Sequence, residues 1–517
     1  MTIFTFAYYF LPRRYQTSIL LVASIIFYAT YGIDYLIFIL VSIFVVFKTA
    51  QKIDLAYQQG DAEAALTEDS TARKQLKLKA KSESRKWLLL ALFSVLIPFI
   101  ALRYFNFLVG NLNSAFAWFG AQYRIDIINR FLPVGISFYS FMMLGYLLDV
   151  YWRRYPAEQK LMNFATFGLY FPHIVQGPIG RYQQFSEQIS RKQEFSWQNI
   201  TLGSQLMIWG FFKKLVVADR VNIFVSSIYD NWAEQEGLIL IIATVLYSIQ
   251  IYADFSGCID IITGASELFG IKLEKNFEQP YLSKTMPEFW RRWHMSLNRW
   301  FKDYLYYPVS ISGFVKKYSK KIKQKKGAES ARMFVSVISA FIVWIVTGLW
   351  HGAEWKYVVW GLFHATLIIC GIVFDKPIRH LTALLKIKTE RLSWKTFQIL
   401  RTFTLCCIGR VFFRADDLHA AIGIFKQTFA GSGLYVLFGG NIYYYGLLNY
   451  YFRLMLVSVV FLLAVDLIQS RLSIRLLISR QPLIIRWLII YAGIFAVLLL
   501  GVYGPGYDSS AFIYNQF

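Results

Sequence analysis

The chain has 517 residues, of which 56% are hydrophobic, 18% aromatic and only 16% charged. Average soluble proteins carry about 25% charged residues, and fewer charges cannot provide a polar surface for so many apolar side chains. The apolar content also excludes a disordered chain, and four cysteines in all exclude a disulfide-rich secreted scaffold. An all-α polytopic membrane protein is the class that remains.

Basic residues exceed acidic ones by 54 to 31, which gives a formal net charge of +23. In a soluble chain this excess would favour nucleic-acid binding. Here the basic residues fall between apolar runs, which is typical of cytoplasmic loops. We therefore predict membrane lipid, and no nucleic acid, as the partner of three cytoplasmic loops at 51–86, 314–332 and 375–396. The first of these is expected to be a helical or mobile insert.

The apolar runs predict about eleven transmembrane helices, given that a span needs roughly 20 apolar residues. Some runs are short or interrupted, which favours tilted, broken or re-entrant helices. Pro and Gly at 163–182 predict a broken helix whose polar groups are satisfied by protein or a water-filled cavity. Mixed charges and aromatics at 276–308 predict a helix that lines a cavity or lies at the interface with aromatic anchors. The runs lie at 16–33, 34–50, 87–108, 131–151, 201–218, 237–253, 333–350, 355–374, 397–413, 452–468 and 484–503.

Two histidines are candidates for chemistry because ionisable groups within membrane sequence are functional by default. His351 follows a long apolar run and lies between Gly348 and Gly352, which would leave room for a substrate beside the imidazole. His294 lies in a Trp-Arg-Arg-Trp-His stretch. An imidazole is the usual general base near neutral pH. An interfacial or core position is the alternative for both, and we interpret the other four as structural: His173, His364, His380 and His419.

The run 333–350 starts at a basic stretch and rises roughly 27 Å as a helix, which predicts His351 toward the outer side of the bilayer. His294 precedes the basic stretch and is predicted nearer the cytoplasm. Two histidines at different depths indicate a central tunnel, into which donor and acceptor enter from opposite sides. No metal is predicted, because HExxH and related ligand spacings do not occur.

Both histidines lie in longer distinctive stretches: FWRRWHMSL at 289–297 with WFKDYLY at 300–306, and GLWHGA at 348–353 with WGLFH at 360–364. Upstream stand LPVGISFY at 132–139, FPHIVQGPI at 171–179 and YADFSG at 252–257. Together they resemble the membrane-bound O-acyltransferase (MBOAT) family, in particular its bacterial polysaccharide branch and the alginate O-acetyltransferase membrane subunits within it. The resemblance implies one membrane domain over 1–517, with a catalytic core at 100–420 and C-terminal transmembrane helices at 421–517.

The resemblance implies an O-acyltransferase of the bacterial inner or plasma membrane. A short acyl group, preferentially acetyl, would pass from a cytoplasmic thioester (acetyl-CoA or an acyl carrier protein) to a cell-surface or exported polysaccharide, with no bound cofactor. It implies an extracytoplasmic SGNH-like acyltransferase as partner and a glycan as acceptor. It implies His351 as the catalytic histidine and His294 as the second essential one. Nearby side chains are expected to bind substrate or donor: Trp290, Arg291, Arg292, Lys302, Asp303, Tyr304 and Trp350.

Two other functions stay open. D-alanyl transfer to teichoic acid uses the same chemistry with an acyl carrier protein as donor. A proton-coupled transporter or flippase would use the histidines as a proton path, and buried carboxylates would favour it. Four aspartates are available for that role: Asp149, Asp254, Asp260 and Asp466. For the basic residues around His294, contacts with phospholipid headgroups are the alternative to donor binding.

Overall fold

The structure, a computed structural model, describes residues 2–121, 123–127, 132–430, 443 and 445–504. Residue 131 of one predicted span, and 431–442, 444 and 505–517 of the predicted C-terminal region, lie outside these residues. All regular elements in the described ranges are helical, which confirms the all-α prediction. Long apolar stretches between charged ends dictate this outcome, because only helices satisfy their backbone within one segment at membrane depth.

Nine helices of the described ranges are long and apolar enough to cross a membrane, and the chain is a multi-pass membrane protein. The predicted number was about eleven. The predicted number exceeds nine because two of the runs, 16–33 and 131–151, form helices too short to be counted as spans. These are Gln16–Ala29, with 14 residues, and Ile136–Tyr151, with 16. The nine are Ile33–Ala65, Ser70–Trp118, Trp197–Tyr229, Gly237–Glu267, Gly313–His351, Trp355–Val373, Leu392–Arg414, Asn449–Gln469 and Leu483–Leu500.

The chain divides into two compact units, Met1–Gly203 with Ala265–Glu274, and Ser204–Gly264 with Lys275–Phe517. The first contains seven complete helices: α1 (Thr2–Phe10), α2 (Gln16–Ala29), α3 (Ile33–Ala65), α4 (Ser70–Trp118), α5 (Ile136–Tyr151), α6 (Leu161–Leu169) and α7 (Tyr182–Ser190).

The predicted insert at 51–86 is helical, because it is built from the ends of α3 and α4, which extend as an antiparallel pair. A Cβ added to Gly60 would lie 2.3 Å from the Cβ of Ala80, so the helices touch closely. Ser84 donates a hydrogen bond to the Ile53 carbonyl at 3.1 Å. Asp69 caps α4 by accepting from two backbone N–H groups, which offsets the unpaired donors of a helix start.

Two of the distinctive stretches pack on each other within the first unit. Gly135 adopts a left-handed conformation with φ +74°, and a Cβ there would lie 2.2 Å from the Ile174 carbonyl oxygen. Helix α6 ends at Leu169, and 171–181 runs as turns and extended chain, as the prolines and glycines predicted. His173 is buried there, with Nε2 3.0 Å from the Phe167 carbonyl. This contact is consistent with the structural role predicted for His173.

The remaining helices belong wholly or mainly to the second unit. A π-helical segment, Phe212–Ala218, joins α8 (Trp197–Phe211) to α9 (Asp219–Tyr229), and another, Lys302–Tyr306, follows α12. The helices are α10 (Gly237–Glu267), α11 (Met286–Arg292), α12 (Met295–Phe301), α13 (Tyr307–Ser310), α14 (Gly313–His351), α15 (Trp355–Val373), α16 (Asp375–Leu384), α17 (Leu392–Arg414), α18 (Leu418–Thr428), α19 (Asn449–Gln469), α20 (Ile474–Ser479) and α21 (Leu483–Leu500).

The basic stretch 314–332 is helical, so the prediction of a loop is wrong. Lys, Gln, Ala and Glu dominate it, and these are good helix formers. Only Gly327, with φ +87°, interrupts the helical backbone of α14. The break separates a charged first half from an apolar second half that ends at His351. The segment 276–308, predicted as one helix, forms several short elements instead, among them α11, α12, a π-helical segment and α13.

Helices α14 and α15 cross at backbone contact through two glycines. A Cβ on Gly348 would lie 2.4 Å from the Tyr357 carbonyl oxygen, and one on Gly361 would lie 2.5 Å from the Trp344 carbonyl oxygen. Small residues allow such close approach between membrane helices. The crossing fixes the end of α14, and therefore His351, against the start of α15.

Candidate active site

His351 is the last residue of α14 and is only 4% exposed. Its ring centroid lies 4.9 Å from those of Trp350 and Trp360, and 5.2 Å from that of Phe413 on α17. Three helices therefore hold the imidazole among aromatic rings. The sequence suggested that Gly348 and Gly352 leave room for a substrate. That prediction is wrong, because Tyr357 already fills the space beside both glycines. A Cβ on Gly348 would lie 2.4 Å from the Tyr357 carbonyl oxygen, and one on Gly352 would lie 2.2 Å from the Tyr357 ring.

His294 lies between α11 and α12 in a left-handed conformation, φ +46° and ψ +55°. This conformation is rare outside glycine and costs about 1–2 kcal/mol, so the fold holds the residue in place. Asn276 fixes the turn by accepting from the backbone N–H groups of Met295 and Ser296, at 2.9 and 3.0 Å. The ring is 2% exposed and packs edge-on against Phe255 at 4.8 Å. Burial lowers the pKa of His294 to about 3, so its imidazole is neutral at pH 7.

The two histidines share one neighbour, the indole of Trp350. Its ring centroid is 6.0 Å from that of His294 and 4.9 Å from that of His351. These distances are far smaller than the roughly 27 Å rise from which the sequence placed them toward opposite sides of the membrane. Both imidazoles therefore belong to one site, and their separation in depth stays a prediction. The central tunnel stays a prediction.

A third histidine, His364 on α15, joins the same site. It is 2% exposed, and its ring lies 4.7 Å from Trp360, 4.9 Å from Trp290 and 5.2 Å from Trp344. The indoles of Trp290, Trp344, Trp350 and Trp360 are called the tryptophan cluster below. Sequence analysis treated His364 as structural, although it lies in the same distinctive region as His351, 13 residues further along.

Arg410 on α17 was missed by sequence analysis. It is 4% exposed, and its guanidinium carbon lies 4.4 Å from the ring centroid of Trp293. The available signal was a basic residue inside the apolar run 397–413, which is a functional indication in membrane sequence. Phe413, one turn along α17, contacts both this guanidinium, at 5.9 Å, and His351.

The structure divides the residues predicted to bind substrate or donor. Trp290 and Trp350 lie in the tryptophan cluster beside the histidines. Tyr304 is buried against Trp300, with ring centroids 5.2 Å apart, and Asp303 is half-buried in the π-helical segment. The basic residues lie outside the cluster. Arg291 and Lys302 are exposed. Arg292 is half-buried and pairs with Glu288 at 2.7 Å.

Three of the four aspartates considered for a transporter pair with cations. From the π-helical segment Phe212–Ala218, Lys213 pairs with Asp260 at 2.7 Å, and Lys214 pairs with Asp254 at 2.7 Å and Asp219 at 2.8 Å. The Asp466 side chain hydrogen-bonds to Tyr252. In the first unit, Asp149 pairs with Arg154 at 2.6 Å. These pairings favour a structural role for the carboxylates over a proton path.

Comparison with known proteins supplies the family. The profile of MBOAT, the membrane-bound O-acyltransferase family, matches residues 24–413. The chain is 29% identical to the probable alginate O-acetylase AlgI of Pseudomonas syringae pv. tomato, over 83% of this chain and 73% of that protein. It is 26% identical to a peptidoglycan O-acetyltransferase of Helicobacter pylori, over 80% and 74%. It is 29% identical to a teichoic acid D-alanyltransferase of Bacillus subtilis, over 55% and 69%.

Proposed function

The chain belongs to the membrane-bound O-acyltransferase family and is an acyltransferase. We propose that it moves an acetyl group from a cytoplasmic thioester across the membrane for O-acetylation of a cell-surface or exported polysaccharide. The observation that carries this proposal is the buried contact of His294 and His351 with one indole of the tryptophan cluster, that of Trp350. Such a site excludes water, which would otherwise hydrolyse the thioester.

His351 is the general base of the proposed reaction. It takes the proton of an acceptor hydroxyl while the hydroxyl oxygen bonds to the thioester carbonyl carbon. The carbonyl π electrons move to oxygen and return when the C–S bond breaks. The imidazolium of His351 then gives its proton to the departing thiolate, which leaves as a thiol. His294, which is neutral at pH 7, orients the hydroxyl or the thioester.

Acetyl transfer is favoured over D-alanyl transfer by how the relatives align. The match to the probable alginate O-acetylase covers 83% of this chain, whereas the match to the D-alanyltransferase covers 55%. The donor is proposed to be acetyl-CoA or an acyl carrier protein, and exposed Arg291 and Lys302 are suited to its phosphates. We further propose a location in the bacterial cell membrane and an extracytoplasmic SGNH-like partner that completes transfer to the glycan.

The test is the ester content of the surface glycan at matched protein levels. His351→Ala should reduce it by about 10²–10⁴-fold, the usual contribution of a general base. His351→Gln should not restore it, because an amide does not take up a proton at neutral pH. His294→Ala should also be severely impaired. His380→Ala and His419→Ala are matched controls, because both imidazoles are exposed and distant in sequence from the distinctive stretches.

The same assay separates the competing functions. Mild alkali releases the ester-linked acyl group, and its identification as acetate or D-alanine distinguishes the two acyltransferases. Wild-type ester content in a well-expressed His351→Ala strain would refute the assignment of the base. A wild-type strain and a gene-deletion strain with equal ester content would refute the function itself.

A further inference from the structure

The site contains hydrogen-bond donors for which the described residues provide no acceptor. Trp290 Nε1, Trp360 Nε1 and Arg410 Nη2 are all buried and without a hydrogen-bond partner among the described residues. More than nine in ten buried polar groups in proteins are paired, so three unpaired donors in one region indicate a place for a ligand rich in acceptors. A carbonyl oxygen is such an acceptor, and a developing oxyanion is a stronger one.

Arg410 differs from its neighbour of the same type on α17. Arg414 pairs with Asp230 at 2.9 Å. In the described part of the chain, no carboxylate lies within salt-bridge distance of Arg410, although this side chain is the more deeply buried of the two. Its charge rests on the face of Trp293, and Tyr281 lies beside it. A buried cation without a paired anion favours the binding of negative charge.

The unpaired donors lie around the histidines. Trp360 contacts His351 and His364, with ring centroids 4.9 and 4.7 Å away, and Trp290 contacts His364. Gly409 holds α17 against His364, because a Cβ there would lie 2.9 Å from Nε2 of that ring. Arg410, the next residue, shares Phe413 with His351. The guanidinium and the proposed base therefore contact the same phenyl ring.

We propose that Arg410 binds the carbonyl oxygen of the acyl thioester and stabilises the negative charge that forms on it during transfer. This inference rests on the proposed function. The carbonyl is the group that fits, because it is the one oxygen at the reacting end of a thioester and can enter an aromatic enclosure. Phosphates of the donor are strongly hydrated and suit the exposed Arg291 and Lys302 instead. The indole N–H groups of Trp290 and Trp360 provide further donors for the same oxygen or for the acceptor.

The test uses inverted membrane vesicles of the producing strain, which contain the full chain together with its acceptor and partner. [¹⁴C]acetyl-CoA is the probe, and alkali-labile label in the polymer fraction is the rate. Arg410→Gln should lower kcat about 10²–10³-fold, as loss of one oxyanion donor does in other enzymes. The KM for acetyl-CoA should stay unchanged, because the bond strengthens only in the transition state. Arg410→Lys keeps the positive charge but replaces the planar guanidinium and its several N–H donors with a single ammonium. Its kcat should therefore remain at least about tenfold below the wild-type value.

Arg414→Gln is the matched control and should incorporate label at close to the wild-type rate. Thermal midpoints in detergent show whether each variant is folded, and if Arg410→Gln does not accumulate, Arg410→Lys decides. A folded Arg410 variant with wild-type kcat, or with only a raised KM, would overturn this inference and leave the proposed function intact. Absence of incorporation by wild-type vesicles, both from acetyl-CoA and from an acetylated acyl carrier protein, would instead count against the proposed function.

Discussion

Replacing Lys214 with Met should strongly destabilise the protein. The Lys214 ammonium lies 2.7 Å from Asp254 and 2.8 Å from Asp219, and the side chains of Lys214 and Asp254 are each only 3% exposed. Met preserves most of the length but removes the ammonium that pairs with the buried charge of Asp254. Breaking a buried pair in this way typically costs about 3–5 kcal/mol. That is a large part of the roughly 5–15 kcal/mol by which a folded domain is stable.

The matched control is Lys376→Met. Lys376 is bonded to Glu329 at 2.6 Å, but the two side chains are 72% and 54% exposed. Exposed pairs contribute about 0–1 kcal/mol, so this substitution should barely change stability. The assay is the apparent unfolding midpoint in detergent, followed by tryptophan fluorescence at one scan rate for all variants. Adding Asp254→Asn to Lys214→Met should restore part of the loss, because the uncompensated charge is removed.

Equal midpoints for Lys214→Met and Lys376→Met would refute the reasoning. Asp219 and Asp254 would then be protonated or hydrated, and the alternative of a proton path would gain support.

Four further outcomes are expected. Cysteines placed in the extended ends of α3 and α4 and in the basic first half of α14 should resist an impermeant thiol reagent in intact cells; labelling of both regions from outside would show that the predicted orientation in the membrane is wrong. Arg291→Gln and Lys302→Gln should raise the KM for donor, and a lower kcat at constant KM would instead place them in the transition state. Gly348→Ala should lower the unfolding midpoint by forcing α14 and α15 apart, whereas Gly371→Ala, with open space around it, should be neutral or slightly stabilising. Because burial lowers the pKa of His294 to about 3, the stability of the fold should fall as the pH drops from 6.5 toward 3. Asn tolerates the left-handed backbone, so His294→Asn should weaken this pH dependence. The same dependence of stability on acid pH in the variant and the wild type would contradict it.

The helical class and most spans were predictable, because hydropathy decides them locally. The apolar run 237–253 lies within α10, and 484–503 largely coincides with α21. Length errors arose where polar residues continue a helix beyond the membrane, as in α3, α4 and the first half of α14. Apolar periodicity carries no information there, and helix propensity determines the result.

The site was predictable only in part. His294 and His351 were identified from their own neighbours in sequence, and the structure brings both to Trp350. Arg410 and His364 could not be placed by such reasoning, since their position depends on which helices touch. The crossing at Gly348 and Gly361 is what carries the start of α15 to the end of α14. That contact is tertiary, and the spacing of the glycines in the sequence does not show which residues lie against them. The same limit applies to His294, because the turn between α11 and α12 brings its ring to Trp350.

Among the nine candidate spans of the described ranges, only α21 has no buried residue, and this has an evolutionary consequence. Its contacts include Gly493 against Ile208 and the hydrogen bond from Arg220 to the Leu500 carbonyl. Hydrocarbon tails satisfy any apolar side chain equally, so selection there acts on length and total hydropathy rather than on residue identity. Leu, Ile, Val and Phe should interchange freely along this helix as lineages diverge. The family profile ends at residue 413, before this part of the chain.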